Sequence, residues 1–256
     1  MLGAIAGDMI GSIYERHNIK TTRFPLWKKE STFTDDSVLT IATADCLMNK
    51  GDFAHYYRRY YSRYPRAGYG GGFIQWAENY GAPAYNSWGN GSAMRVSPVA
   101  WWGQTETEVL ESAKKSAQVS HNHPEGIKGA QAVALAAYMA RKNAGKEEIL
   151  KRVAMDFNYN LTEGIDEIRK WYAFDVSCQG SVPQAIRAFY ESDSFENAIR
   201  LAISIGGDSD TIACMTGAIA EAYYGSVPPS ICHEIETRLP VELLKVVNAF
   251  YRELQP

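Results

Sequence analysis

The chain has 256 residues, 46% of them hydrophobic, which is enough for one well-buried core and short for two full domains. Its 26 Lys and Arg nearly balance 29 Asp and Glu, for a formal net charge of -3; that argues against a general nucleic-acid-binding surface and a stable nucleic-acid partner, while leaving room for a local basic patch. Cys46, Cys178, Cys214 and Cys232 are widely spaced with no Cys-x-x-Cys pair, the pattern of reduced, mostly buried thiols in a cytoplasmic protein.

Met1 to Ile13 is largely apolar, but it has no basic leader and Asp8 interrupts a run already too short for a membrane span. It reads instead as a small-residue helix over Leu2 to Ile13, with Gly3, Ala4, Ala6, Gly7 and Gly11 permitting close approach of neighbours. Glu15 then falls in a following loop, and spacing alone reads it as a solvated charge at a helix end. Asn18 to Ser31, with Pro25 and mixed charge, is predicted as a mobile loop.

Thr34-Asp35-Asp36 stands just before an apolar-periodic segment carried by Val38, Leu39, Ile41, Ala42 and Cys46, which predicts a helix from about Asp36 to Asn49. Phe53 to Tyr64 follows, dense in Tyr and Arg. Such a run can grip single-stranded nucleic acid, but the preferred reading is an amphipathic surface helix whose Tyr rings pack and whose Arg heads stay wet. Between Pro65 and Trp102 the composition shifts to Gly and aromatics, including Gly68-Tyr69-Gly70-Gly71-Gly72 and Gly89-Asn90-Gly91-Ser92-Ala93-Met94-Arg95. Glycine-rich loops let backbone amides close around an anion. Neither loop fits a P-loop or a dinucleotide fingerprint, yet their concentration points to a ligand cleft.

Ser120-His121-Asn122-His123-Pro124-Glu125-Gly126 opens another helix, with Pro124 and Glu125 suited to its first turn. The His-x-His pair has no third nitrogen or sulfur ligand nearby, so zinc is not expected. Amphipathic helices continue beyond Lys142 to Glu148, with breaks at Asn158 to Glu163 and Val176 to Pro183. Ile231, Ile235, Leu239, Leu243, Leu244, Val247 and Phe250 are helical packing positions in the stretch from Pro228 to Pro256. Period-2 alternation is hardly seen, and the fold class that follows is all-α with about ten or more helices around one core.

Gly206-Gly207-Asp208-Ser209-Asp210-Thr211 lies between two of these helices. The first is marked by Phe195, Ala198, Ile199, Ala202 and Ile203, and the second by Ile212, Met215, Thr216, Ile219, Ala220 and Tyr223. The glycines stop the first helix, and Asp208, Asp210 and Thr211 converge at the start of the second. Taken alone, Asp210 caps a helix and Asp208 makes a turn. Thr34-Asp35-Asp36 changes that reading, because adjacent carboxylates about 4 Å apart repel by roughly 4 kcal/mol at an effective dielectric of about 20. Four such groups need cations. Carboxylates and hydroxyls without His or Cys favour Mg²⁺ or Mn²⁺, and two ions about 3.5 to 4 Å apart can share a bridging water and orient a substrate.

With these residues in place, the chain resembles the ADP-ribosylglycohydrolase family over nearly its whole length. The likeness rests on Gly3-Ala4-Ile5-Ala6-Gly7-Asp8 through Ser12-Ile13-Tyr14-Glu15, Phe33-Thr34-Asp35-Asp36-Ser37, Gly89 to Arg95, Ser120-His121 with Pro124-Glu125, and Gly206 to Thr211. The resemblance implies a single domain over residues 1–256, an orthogonal all-α bundle with two Mg²⁺ or Mn²⁺ ions in a cleft. Thr34, Asp35 and Asp36 would supply one half of the ligands, and Asp208, Asp210 and Thr211 the other. It raises Glu15 to a carboxylate facing the scissile bond, and makes Asp35 or Asp36 the group that orients or deprotonates water. Gly89 to Met94 would hold the diphosphate and adjacent ribose, His121 would lie near the terminal ribose, and Tyr69, Gly70 and Gly71 join them as candidate substrate contacts. Ser37 and Ser120 stand where the family usually has Thr, and Glu221 where a small residue is common; none of these removes a ligand.

The implied activity is hydrolysis at the anomeric carbon of an ADP-ribosyl group on a protein or small molecule, with arginine the acceptor expected first. Two other readings stay open: a module that binds ADP-ribose without cleaving it, and a metal-dependent phosphohydrolase acting on the diphosphate. The region from Tyr172 to Ser181 is a guess for the adenine contact, and acceptor choice is assigned to loops such as Asn18 to Ser31 and Ala82 to Trp88.

Overall fold

The computed structural model describes residues 1–254, with fifteen helices and, among the described residues, no strand beyond an isolated bridge between Gly89 and Ser177. The helices are α1 (Leu2–Arg16), α2 (Asp35–Met48), α3 (Phe53–Arg63), α4 (Gly71–Glu78), α5 (Gly91–Met94), α6 (Ser97–Trp102), α7 (Glu106–Gln118) and α8 (Pro124–Arg141). They continue as α9 (Lys146–Phe157), α10 (Ile165–Trp171), α11 (Cys178–Glu191), α12 (Phe195–Ser204), α13 (Ser209–Tyr224), α14 (Pro229–Arg238) and α15 (Val241–Glu253). The chain is all-α, as its periodicity predicts.

The core is built on α13, which is buried around nearly its whole circumference from Ser209 to Ala222 rather than along one stripe. Its most extensive neighbour is α1, and α8, α11 and α12 pack on it as well. The α1 contact is backbone to backbone. A Cβ added at Gly3 or Gly7 would collide with the carbonyl oxygen of Gly217 or Ala213, and one at Gly11 would lie 2.5 Å from the Cα of Asp210. Positions 3, 7 and 11 face 217, 213 and 210 in turn, so the two helices run antiparallel with their axes closer than any side chain would allow.

Four local expectations are corrected. Glu15 lies inside the last turn of α1, which runs on to Arg16, rather than in a loop. Asn18 to Ser31 is a tied strap. The Arg200 guanidinium donates to the carbonyls of Thr22 (3.1 Å) and Phe24 (2.7 Å), Arg238 to those of Lys28 (3.1 Å) and Ser31 (3.0 Å), and the Tyr14 hydroxyl to that of Pro25 (2.7 Å). Pro183 lies inside α11 and not in a break; Ser177 caps that helix by accepting from Gly180 N, so the true break is 172–177. In α3, Arg58 does not stay wet. It is buried with its guanidinium 4.2 Å from the Trp76 ring and donates to the carbonyls of Asn79 and Ala82.

The α1 contact makes one substitution diagnostic. Gly7→Val should cost about 3 kcal/mol or more, since overpacking against backbone has no side chain to give way. Gly145→Ala, where nothing lies within 4 Å, should cost less than about 1 kcal/mol. Urea unfolding of both variants checks the difference.

Candidate active site

The N-terminus of α13, the N-terminus of α2 and the C-terminal turn of α1 meet on one cavity of about 890 Å³. Its walls include Glu15, Thr34, Asp35, Asp36, Gly70, Gly89, Asn90, Gly91, Met94, His121, Asp208, Asp210 and Thr211. Tyr69, Gly71, Ser92 and Ala93 are not on those walls. Tyr69 stacks on Phe73 at 5.2 Å with its ring buried, and Ser92 faces inward, donating to the Gly126 carbonyl at 2.7 Å.

Gly206 and Gly207 take φ of +77° and +72°, a left-handed pair that only glycine adopts without strain. They end α12 and turn the chain so that Asp208 and Asp210 enter the cavity from the first turn of α13. The capping role read for Asp210 is corrected: Asp208 occupies the N-cap position, with no side-chain capping bond, and Asp210 lies inside the first turn, its Oδ1 accepting from Thr211 N at 3.0 Å. Asp208 Oδ2 instead accepts from Asn90 Nδ2 at 2.6 Å, which attaches the second glycine loop to the acidic cluster. Asn18 clamps the other side. Its amide donates to the carbonyls of Tyr14 (2.9 Å), Glu15 (2.7 Å) and Gly207 (3.1 Å), and its oxygen accepts from Gly207 N, so the end of α1 is tied to the turn that carries Asp208.

Thr34 caps α2, its Oγ1 accepting from Asp36 N at 3.3 Å. The two acidic helix starts are joined directly, because Thr211 Oγ1 donates to Asp36 Oδ2 at 3.2 Å. One acid in this cluster is not singled out by the sequence reading. Asp8 is fully buried in α1 and accepts from Thr34 N (2.9 Å), Thr34 Oγ1 (2.7 Å), Ser37 N (3.0 Å) and Ser37 Oγ. Three of these bonds crowd Oδ2 and one reaches Oδ1, so Asp8 fastens α2 to α1 and keeps acceptor capacity on Oδ1 beside Asp36 and Asp210. The available signal was a lone acid in the apolar face of a small-residue helix.

Two groups of three carboxylates each bring one oxygen per residue within 4.8 Å of the other two, Asp8 with Asp36 and Asp210, and Glu15 with Asp208 and Asp210. Asp35 lies beside them on the cavity wall and outside both triads; its backbone N–H donates to Ala67 O at 2.8 Å. Burial first, then repulsion from Asp8, pushes the Asp35 and Asp36 carboxyls well above the usual range, and burial with Asp208 does the same to Asp210. Glu15 is raised by burial and by Asp208. No Lys or Arg among the described residues forms an ion pair with any of these acids. Asp36 Oδ1 is buried with no hydrogen-bond partner. A buried acidic cluster with no basic partner and an orphaned oxygen fits hard cations, which Asp36, Asp208, Asp210, Glu15 and the hydroxyl of Thr211 could hold.

At the other side of the cavity His121 is set by a relay. The fully buried Arg95 guanidinium sits 4.1 Å from the Tyr57 ring and donates to Ser120 Oγ at 2.9 Å, and Ser120 Oγ lies 2.8 Å from His121 Nδ1. The Ser120 hydroxyl can accept from Arg95 and donate to Nδ1 at the same time, and in that tautomer the hydrogen of His121 is on Nε2. Burial and Arg95 hold the imidazole pKa well below its ordinary value, so the ring is neutral. Nε2 faces the glycine loop: a Cβ at Gly91 would approach it to 3.0 Å. Phe174 and Val176, both exposed, line the same side, within the region guessed for an adenine contact. Tyr85 and Ser87, from the loop assigned to acceptor choice, stand there too, Tyr85 with its ring 5.6 Å from that of His121.

The sequence profile of the ADP-ribosylglycohydrolase family matches residues 1–255. The chain is 28% identical to ADP-ribosylhydrolase ARH3 of Mus musculus, over 90% of this chain and 84% of that protein. It is 26% identical to ADP-ribosylarginine hydrolase Tri1 of Pseudomonas putida, over 90% and 71%. A solved structure described as an ADP-ribosylglycohydrolase-related protein complex shares the fold, with a TM-score of 0.73, 24% identity and coverage of 98% of this chain and 96% of that one. No helix among the described residues is long and apolar enough to cross a membrane.

The charge imbalance gives a test of cation binding with opposite signs in two conditions. Asp36→Asn removes one of several repelling charges, so the chelator-treated protein should gain roughly 1 kcal/mol or more. The same variant should lose most of the rise in Tm that Mg²⁺ or Mn²⁺ gives the unsubstituted chain. Thermal unfolding with and without each ion measures both.

Proposed function

Because the chain belongs to the ADP-ribosylglycohydrolase family, we propose that it hydrolyses the glycosidic bond at the anomeric carbon of an ADP-ribosyl group, with divalent cations held by the acidic cluster. The observation that carries this reading is the pair of carboxylate triads sharing Asp210, without basic partners, on the wall of one cavity with Glu15. Mg²⁺ or Mn²⁺ bound there would neutralise the acids and supply Lewis acidity to the ribose hydroxyls and the attacking water.

The protein's own groups divide the remaining tasks. The backbone amides of Gly89, Asn90, Ala93 and Met94 are taken by Ser87 Oγ and the carbonyls of Val176 and Asn90, so the amides of Gly91 and Ser92, at the start of α5, are the ones left for an anionic diphosphate, without a fixed positive charge beside the carboxylates. The neutral His121, in the tautomer whose Nδ1 accepts from Ser120 Oγ, donates from Nε2 to a ribose or phosphate oxygen. Asp36, through its free Oδ1, or Asp35 orients the water and takes its proton. Glu15 has a carboxyl whose pKa is raised by burial and by Asp208, so it retains a proton further towards neutral pH than an exposed Glu. It assists proton transfer to the departing acceptor atom or, ionised, stabilises positive charge on the sugar as the bond stretches. Phe174, exposed at the same side as the glycine loop, offers a ring face to adenine.

Arginine is the acceptor to test first, since one relative is named an ADP-ribosylarginine hydrolase. The decisive assay offers arginine-, serine- and small-molecule-linked ADP-ribose with Mg²⁺ or Mn²⁺ and follows free ADP-ribose. Release should depend on the metal, disappear in Asp208→Ala, and fall by about 100-fold or more in Glu15→Gln. Turnover within about threefold of the unsubstituted chain for Glu15→Gln removes that residue from the chemistry. AMP as the product would instead make the protein a phosphohydrolase, and tight binding with no product a binding module.

A further inference from the structure

The cavity is electrically polar along its length. On the side built by Gly89 to Met94, His121 and residues 174–176, the only Lys or Arg on the wall is Arg95, buried against Tyr57 and turned into the core. The side built by the end of α1, the strap after it and the loop before α4 carries Arg16, Lys28 and Arg66, all exposed, against one exposed acid, Glu30, and the half-buried Glu15 further in. None of the three cations forms an ion pair among the described residues. They come from three separate segments, and the strap that carries Lys28 is tied by Arg238 at the Lys28 carbonyl itself. Lys28 Nζ rests 5.1 Å from the Tyr14 ring, next to Glu15 in sequence. A positive rim on a chain of net charge -3 is a local departure that attracts anions and raises their encounter rate.

Building on the hydrolase reading, we infer that this rim receives the acceptor half of the substrate, and that the acceptor is an acidic peptide segment, one with Asp or Glu flanking the ADP-ribosylated residue. The inference concerns the flanks and holds whichever side chain carries the ADP-ribose. A nucleic-acid strand fits less well, because stacking platforms for bases are exposed aromatics. The exposed large apolar side chains, Tyr80, Trp88, Met155, Trp171, Phe174, Val176 and Val241, include none from this rim. An acidic peptide needs only long, mobile cations at the mouth and no platform.

The test uses the full chain with Mg²⁺ and a set of peptides ADP-ribosylated at one shared central residue, flanked by Asp and Glu, by Ala and Ser, or by Lys and Arg. Binding by fluorescence anisotropy and release of ADP-ribose are read in parallel. The acidic-flanked peptide should bind about tenfold tighter than the basic-flanked one at low ionic strength, with the gap closing between about 0.05 and about 0.5 M salt. The triple variant Arg16→Glu, Lys28→Glu, Arg66→Glu should invert the order, and the triple Gln variant should flatten it. Equal binding of all flanks, or an unchanged order in the triple Glu variant, overturns the inference, as does tighter binding of an unmodified oligonucleotide than of the acidic peptide. Ordered binding with no ADP-ribose released would leave the rim assignment standing and remove the hydrolase reading; release with flat binding does the reverse.

Discussion

The site depends on how closely α1 approaches α13. Three glycines one turn apart let the two backbones touch, and that contact fixes Asp8 and Glu15 relative to Asp210 with almost no side-chain freedom between them. Packing through interdigitated side chains would set the helices about 8 to 10 Å apart and leave room for rotamer exchange. Here the separation is set by carbonyl oxygens and Cα atoms, which cannot repack. Asp8 then transmits the geometry to α2 through four hydrogen bonds at Thr34 and Ser37, and Asn18 transmits it to the Gly206-Gly207 turn. The three chain segments that carry the acids are thus held by backbone contact and by two buried or clamped polar side chains, Asp8 and Asn18.

Rigidity of this kind is needed because the cluster is repulsive. Carboxylates that share burial and lack a counter-charge would move apart or protonate if their elements could shift. Holding them together stores unfavourable energy in the metal-free fold, and a divalent cation would release it on binding, which couples ion affinity to folding. The orphaned Asp36 Oδ1 is the most local sign of that stored energy: in a satisfied core it would have found a donor.

Much of this was legible in the residues. The two acidic helix starts, the glycine stop before Asp208 and the all-α architecture follow from spacing and capping chemistry. What spacing could not convey was position along a helix end and relations between distant segments. Spacing puts Glu15 in a loop, whereas α1 continues beyond Ile13 to Arg16, with Asn18 bonding to the carbonyls of Tyr14 and Glu15. The strap from Asn18 to Ser31 looked loose because its anchors, Arg200 and Arg238, lie far along the chain. Pro183 suggested a break, yet a capped helix absorbs one missing donor near its start. Asp8 was passed over as an interruption of an apolar run, although a charge that burial would otherwise penalise implies a full set of donors elsewhere.

The placement of cations follows from the same electrostatics. A Lys or Arg among the buried acids would pair with them and compete with a divalent ion for the same oxygens. On the proposed reading the cavity meets an anionic ligand with neutral donors, the amides of Gly91 and Ser92 and His121 Nε2, while Arg95 is kept on Tyr57 and reaches the site through Ser120 and through its charge on the His121 imidazole. The exposed cations Arg16, Lys28 and Arg66 stand at the mouth, where solvent weakens their pull on the buried cluster. This division separates two recognition problems. The buried end can hold one fixed chemical group through geometry, while the exposed end can sort what is attached to it by charge.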